Sequence, residues 1–227
     1  KQASGAVIVK QDDSQVLVTA VGGNSDRPFD FLPLTVDFVS RTGARGKIPG
    51  GFLKREGRPD ERGTLICRLI DRPIRPQFPK HWRSELQIIA TVMSYDTACD
   101  IDVLSMVGAS AAAHISDLPL QQPIAAVRVV RHEGEFKINP SNDEIHASDI
   151  NLIVAGTADA IAMVEGGANE ADEAAMIDAM DLAHENIKKI IVAINELQKL
   201  AGKEKRPVPP APQADEDVAG KVVELDN

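Results

Sequence analysis

The sequence is poor in cysteine and in aromatic residues. Its 227 residues include two cysteines, and only 4% are aromatic. Cys67 and Cys99 form no CxxC pair, which argues against a disulfide framework or a zinc knuckle and favours a reducing compartment. We expect both to be plain buried thiols in a core built mainly from Val, Ile, Leu and Ala.

Long apolar runs and metal-ligand spacings are also missing. No run approaches the roughly 20 apolar residues that a membrane span requires, so we expect no membrane partner. The five histidines are scattered without the spacing of metal ligands. The sequence has no P-loop, no G-x-G-x-x-G after a strand and no G-x-S-x-G nucleophile elbow. The cysteine and histidine spacings therefore predict no metal site in this chain, and none of these three motif-based sites is present.

The charged residues are distributed unevenly along the chain. The net charge is −9, yet the stretch from Arg41 to Arg83 holds 12 Lys or Arg against 4 Asp or Glu, a local net of +8. The rest of the chain carries −17. A basic stretch in an acidic chain can attract a polyanion to one place. A solvated loop balanced by acidic neighbours in space would give the same pattern, and charge alone does not separate the two.

The hydrophobic periodicity predicts an alternation of strands and helices. A long helix, with Asn169 as N-cap and Gly202 as stop, closes the series. Pro73 should end or kink the first helix, and Asp102 should cap the second rather than bind metal. The predicted strands are Gly5–Lys10, Gln15–Gly22, Pro33–Ser40, Glu85–Ser94, Ile124–Arg131, Glu135–Ile138, Asn151–Gly156 and Ala160–Glu165, and the helices run from Asp60 to about Asp71, Asp102–Ile115 and Ala171–Ala201.

A glycine-dense basic loop interrupts this alternation between Arg41 and Gly57. Lys54 and Arg55 lie there beside Phe52, and Arg58 follows directly after Gly57. Cations that meet phosphates, next to an aromatic ring on which a base can stack, suit single-stranded nucleic acid. Alternatively, Phe52 and Leu53 only anchor the loop to the core.

These residues carry a family resemblance. GGFLKREGRP (50–59) resembles the F-F-R-R-E-G-R-P signature of polynucleotide phosphorylase, and LICRLIDRPIRP (65–76) resembles the L-I-x-R-L-I-D-R-P-I-R-P that follows it. FDFLPLTVDF, GKIPGGF, GASAAA, NLIVAGT and MVEGGA continue the similarity in the same order. The resemblance therefore covers nearly the whole chain, and the order of strands and helices also resembles RNase PH.

The resemblance implies an α+β, RNase PH-like domain related to the ribosomal small-subunit β-α-β fold, with mixed sheets packed against helices. It implies a bacterial cytoplasmic or organellar enzyme that degrades RNA from the 3′ end by phosphorolysis, releases nucleoside diphosphates and also runs in reverse. Inorganic phosphate would be the co-substrate, and Mg²⁺ or Mn²⁺ would be held on a second domain. Single-stranded RNA, two further copies in a homotrimer and an RNA-degradation complex are the implied partners.

The resemblance also assigns roles to particular residues. Phe52, Leu53, Lys54, Arg55 and Arg58 would contact RNA, and Arg68, Arg72 and Arg75 would support activity. Leu53 stands where the family has its second aromatic, and Lys54 where it has an arginine. Leucine has no π-face and lysine lacks the guanidinium fork, so stacking is expected at Phe52 rather than at Leu53.

A comparison with a sequence stretch of RNase PH predicts that this domain lacks the catalytic aspartate. DIDVLSMVGASAA (100–112) resembles the RNase PH stretch D-C-D-V-L-Q-A-D-G-G, and the aspartate needed for catalysis there falls on Val107. Valine can neither bind a metal nor transfer a proton. The catalytic phosphate and metal site is therefore expected outside this chain.

The domain organisation follows from the same comparison. Residues 1–201 would form the first RNase PH-like domain without its N-terminal strands, 202–217 a Pro-rich linker, and 218–227 the start of a helical domain. Two alternatives stay open: a non-catalytic RNA-binding ring subunit like inactive exosome members, and a free-standing RNase PH. Val107 and the linker argue against the second.

Overall fold

The computed structural model describes residues 2–23, 29–51, 60–208 and 210. The strands and helices alternate largely as the periodicity predicts. The strands are β1 Gly5–Gln11, β2 Ser14–Gly22, β3 Leu34–Ser40, β4 Leu86–Ser94, β5 Ala125–His132, β6 Glu135–Ile138, β7 Ile150–Gly156 and β8 Ile161–Ala168. The helices are α1 Glu61–Ile74, α2 Ile101–Ile115, α3 Asn142–Ala147 and α4 Glu173–Ala201.

Two four-stranded sheets form the frame of the molecule. The first has the order β1-β2-β4-β3, in which β3 and β4 are parallel and joined through α1, while the other pairs are antiparallel. The second has the order β6-β5-β7-β8 and is antiparallel throughout. This is the predicted α+β arrangement of mixed sheets and helices.

Helix α2 is the centre of the fold because it packs between the two sheets. It contacts β1, β2 and β4 on one side and β5 on the other, and α1 lies beside it. Residues of the second sheet alternate between two cores: Ala126 and Ile153 join the α2 core, whereas Val127 and Leu152 face α4. The layers are therefore first sheet, α1 with α2, second sheet, and α4.

Small residues allow α2 to lie this close to the first sheet. A Cβ on Gly108 would come within 2.6 Å of a Val18 methyl group, and one on Gly5 within 2.1 Å of the Ala112 carbonyl oxygen. The GASAAA run is thus a packing surface, as its composition predicts. Cys99 is buried in this core and Cys67 is half-buried, and burial is the main cause that raises the pKa of each thiol.

Several predicted boundaries and caps are wrong. Helix α1 continues to Ile74 rather than ending at about Asp71, so Pro73 lies in its last turn and the Arg75 amide still bonds the Asp71 carbonyl. Asp100, not Asp102, caps α2: its extended backbone directs its carboxylate to the Asp102 amide at 3.0 Å. Asp172 rather than the predicted Asn169 caps α4, since it accepts from the Ala175 amide. Gly202 does end α4.

The sequence reading also missed α3. Ser141 precedes this helix, and its amide donates to the Glu144 carboxylate at 2.8 Å, forming a capping box. The S-x-x-E spacing was a readable signal, but the helix has only six residues and no apolar periodicity.

The first residues of the predicted linker lie against the domain. The Lys203 amide donates to Ile115 O and the Arg206 amide to Asp117 O. Lys205 Nζ donates to the carbonyls of His114 and Ser116, at 2.7 and 2.9 Å, at the C-terminal end of α2. We call residues 202–206 the strap. It holds the end of α4 against the end of α2.

No helix among the described residues is long and apolar enough to cross a membrane.

Candidate nucleic-acid interface

The predicted RNA-binding residues Phe52, Leu53, Lys54, Arg55 and Arg58 lie outside the described residues. The structure places the two ends of the segment that contains them. On one side, Asp60 is the N-cap of α1 and accepts the Gly63 amide at 2.7 Å. On the other, residues 46–51 follow a 3-10 turn at Thr42–Arg45. The loop therefore joins this turn to the N-terminus of α1.

The 3-10 turn is attached to the end of β4. The Tyr95 amide donates to Ala44 O at 2.9 Å, and the Arg45 guanidinium lies 5.0 Å from the centre of the Tyr95 ring. Gly46 follows with φ of 65°, a left-handed conformation that favours glycine, and its amide donates to Gly43 O and ends the 3-10 turn. Ile48 is almost wholly exposed. The segment thus leads an arginine and an apolar side chain out to the surface beside α1.

The arginines of α1 differ in what they contact. Arg62 donates to Asp102 Oδ1 at 3.0 Å and so connects α1 to α2. Arg72 pairs with Glu165 of β8 at 2.9 Å, with both side chains more than half exposed. Arg68 is exposed and makes no hydrogen bond or ion pair with the residues that the structure describes.

The Arg75 side chain hydrogen-bonds to the backbone that leads into β3 and to Asp71. Its Nη1 donates to Leu32 O at 2.8 Å and its Nη2 to Leu34 O at 3.4 Å. Its Nε and Nη2 also donate to Asp71 Oδ2, at 3.2 and 3.1 Å. The sequence predicted these arginines as one set, and the structure separates them.

The acidic residues next to α1, Asp100 and Asp102, form ion pairs with arginines. Arg128 donates from Nε to Asp100 Oδ2, and its Nη2 lies 3.6 Å from Asp102 Oδ2. Burial, followed by the adjacent Asp100 carboxylate, raises the pKa of Asp102 against the opposing effects of Arg62 and Arg128. Two arginines therefore occupy the place that a cation would need.

No group of three or more His, Cys, Asp or Glu able to hold a metal ion occurs in the part of the chain that the structure describes. Val107 lies half-buried within α2, one residue before the Gly108 contact with the first sheet. Val107 is the only residue of α2 that is not fully buried, and its side chain carries no group that could bind a metal or transfer a proton.

The sequence reading missed the polar network behind the surface. Arg128 reaches Asp100 from β5 and also donates to Asn151 Oδ1 of β7 at 2.8 Å. Asn142, at the start of α3, donates to the Tyr95 hydroxyl at 3.2 Å. These partners are 23 to 47 residues apart, so no local spacing could have indicated them.

The fold has solved relatives. The chain superposes on a chain of an Archaeoglobus fulgidus exosome with RNA bound to the active site, with a TM-score of 0.63, 18% identity and coverage of 84% of this chain and 83% of that one. An archaeal exosome core gives a TM-score of 0.61 at 18% identity, covering 85% and 82%. The two sheets with α2 between them are therefore the fold of exosome core chains.

Two family models match consecutive parts of the chain. The model described as 3′ exoribonuclease family, domain 1, matches residues 1–119, and that for domain 2 matches residues 122–186. The chain belongs to the 3′ exoribonuclease family.

The curated relatives confirm the resemblance to polynucleotide phosphorylase. Polyribonucleotide nucleotidyltransferases from Heliobacterium modesticaldum, Persephonella marina and Bacillus subtilis are 51, 52 and 50% identical over 210, 206 and 205 residues. These matches cover 90 to 92% of the chain but only 29 to 30% of each relative. The chain thus spans about 30% of the length of the relatives that it matches.

Proposed function

We propose that this chain is the RNA-binding first core domain of a polyribonucleotide nucleotidyltransferase that degrades RNA from the 3′ end with phosphate. The observation that carries the proposal is identity of about one half, sustained over at least nine-tenths of the chain, to enzymes of that name. The products would be nucleoside diphosphates, and the reverse reaction would polymerise them.

The chain's own contribution would be to guide RNA. The basic segment 41–83 carries a net charge of +8, and α1 presents its arginines beside the end of the loop that contains Phe52, Lys54, Arg55 and Arg58. Phosphates would meet the cations and a base would stack on Phe52. Because both interactions ignore base identity, the domain would bind single-stranded RNA with little sequence preference.

The chemistry would lie on a second domain. Inorganic phosphate would be the co-substrate, and Mg²⁺ or Mn²⁺ would stabilise the charge that develops on the transferring phosphoryl group when it is bound there. Asp100 and Asp102 do not fit a metal, since they are held by Arg62 and Arg128. No step of the reaction is therefore assigned to this chain.

The assembly and location follow from the same assignment. The full-length protein would be a homotrimer in a bacterial cytoplasm, with an organelle as the alternative, and it would be available to an RNA-degradation complex. Three copies of the loop would then surround one RNA strand, which accounts for a loop that binds without base-specific contacts.

Phosphate dependence tests the proposal. Full-length protein is incubated with labelled poly(A) and Mg²⁺, with and without inorganic phosphate, and the mononucleotides are separated. We expect ADP only when phosphate is present. Release of AMP in either reaction would mean hydrolysis and would overturn the proposal, whereas RNA binding without any release would support a non-catalytic ring subunit instead.

The 227-residue chain alone should release no ADP in the same assay. Metal-dependent release at rates typical of enzymes, on the order of 1 per second or above, would place a catalytic centre within this chain and contradict the role assigned to Val107.

A further inference from the structure

We infer that the α1 arginines have separate tasks: Arg68 binds an RNA phosphate, whereas Arg75 is a positioning residue that acts through the backbone before β3. This inference rests on the proposed function, because it assigns roles within the proposed RNA-binding surface.

The contacts of Arg75 leave it little capacity for RNA. Its two Nη groups donate to the carbonyl oxygens of Leu32 and Leu34, and Asp71 Oδ2 accepts from Nε and Nη2. A guanidinium is suited to this task because its donors lie in a fixed plane and can reach two carbonyls at once. To meet a phosphate, Arg75 would have to give up its hydrogen bonds to the Leu32 and Leu34 carbonyls and to Asp71.

The backbone that Arg75 holds follows a pair of aromatic side chains in contact. Phe29 and Phe31 contact each other edge to face with ring centres 5.9 Å apart, and Phe31 is 61% exposed. The segment then enters β3 through two hydrogen bonds, Leu34 amide to Leu32 O and Leu86 amide to Pro33 O, at 2.9 and 3.0 Å. Arg75 therefore fixes how this segment joins the edge of the first sheet.

Arg68 differs from both of its helical neighbours. Arg72, one turn further along, is neutralised by Glu165, whereas Arg68 has no acidic partner among the described residues. The side chain lies on the exposed face of α1 with Leu65. It is eight residues after Asp60, so it lies about 12 Å along the helix from the end of the RNA-binding loop. A strand that leaves the loop along α1 would pass Arg62, which is paired with Asp102, and would then reach Arg68 before Arg72 or Arg75.

Conservative variants distinguish an arginine that contacts an RNA phosphate from one that holds the backbone in place. Full-length protein is prepared as Arg68→Ala, Arg68→Lys, Arg75→Ala and Arg75→Lys, with Lys188→Ala on the exposed face of α4 as the charge-matched control. Affinity for single-stranded poly(A) is measured against salt concentration, and hydrogen exchange is followed at the Leu34 and Leu86 amides.

For Arg68→Ala we expect the log-log salt slope to flatten by about 0.7, the value for one phosphate on a single strand. Arg68→Lys should restore it, since a point charge suffices for a phosphate. Both Arg75 variants should leave the slope unchanged but speed exchange at Leu34 and Leu86, because lysine cannot reach both carbonyls. Lys188→Ala should change neither quantity.

Two results would overturn the inference: a flattened slope in Arg75→Ala with normal exchange, or an unchanged slope in Arg68→Ala. The proposed function fails by a different result, namely release of AMP or of no nucleotide by the wild-type protein. A wild type that releases ADP with phosphate but shows no slope change in Arg68→Ala would reject the inference and keep the function.

Discussion

Arg128 of β5 donates a hydrogen bond to the carboxylate of Asp100, the residue that caps α2, and so joins the second sheet to the helix that supports the first. Both side chains are nearly inaccessible, with 11% and 4% of their surface exposed. A buried ion pair of this kind is strongly destabilised when only one partner is removed, because the other charge is left without compensation.

Arg128→Met should therefore lower the free energy of unfolding by about 3–5 kcal/mol. Asp100→Asn keeps an oxygen that can cap α2, so combining it with Arg128→Met should cost less than the sum of the single changes. Urea unfolding of the single and double variants gives the comparison. Additive losses would mean that the two side chains do not act as a pair.

The attachment of the strap to the end of α2 should depend on the charge of Lys205. This ammonium group donates to carbonyls at the end of α2, and burial lowers its pKa to about 8. Lys205→Met keeps the length of the side chain but removes these bonds, so trypsin should cleave after Lys203 faster than in the wild type. Lys188→Met is the matched control. Equal cleavage rates in all three proteins would show that the strap is held by its backbone bonds alone.

His114 should make the domain sensitive to mild acid. Burial is the main cause that lowers the pKa of His114 below its ordinary value, and the nearby Lys205 acts in the same direction. Since the unfolded chain takes up the proton first, the contribution of His114 to stability is present above its unfolded pKa of roughly 6.5 and is lost as the pH falls below it.

The variant His114→Gln isolates this contribution. Between pH of about 7.5 and 5.5, the wild type should lose more unfolding free energy than the variant, since both share all other titrating groups. An equal loss in the two proteins would mean that protonation of His114 is not coupled to folding.

The outer face of the first sheet should be covered in the full-length protein. Ile8 of β1 and Met93 of β4 are exposed there, and none of the helices described in residues 60–208 packs on this face. These exposed side chains give a further domain or a second copy apolar surface to bury. We expect the full-length protein to be a trimer by light scattering and the 227-residue chain to be monomeric or weakly associated. A stable trimer of the chain alone would mean that this domain carries the ring contacts.

Most of the fold could be predicted from sequence because nearly every element except the short helix α3 carries its own periodicity. The β5 to β8 strands and α4 are visible as alternating or helical apolar patterns, and Gly202 marks the end of α4. The caps of α2 and α4 could not be chosen from sequence, since Asp100 and Asp102 are equally good capping residues. Which one caps depends on the backbone angles, and it is Asp100 that has the extended conformation of an N-cap residue.

The candidate site, too, could be predicted only in part from the sequence. The basic segment is local in sequence, so its charge and its family resemblance could be read directly. The separation of Arg68, Arg72 and Arg75 could not, because it depends on Glu165 and on the carbonyls of residues 32 and 34. Those partners lie 41 to 93 residues away and come together only in the folded sheets. The predicted contacts of Phe52, Lys54 and Arg55 stay predictions.

The most direct measurement compares binding with turnover in one variant of the full-length protein, Lys54→Ala combined with Arg55→Ala. If the chain guides RNA but performs no chemistry, affinity for poly(A) should fall and the salt slope should flatten by roughly one unit or slightly more. The rate of ADP release at saturating RNA should stay at the wild-type value. Unchanged affinity and slope would show that the basic loop is only a solvated surface. A fall in the saturated rate with affinity retained would place these residues in the chemical step and contradict the account.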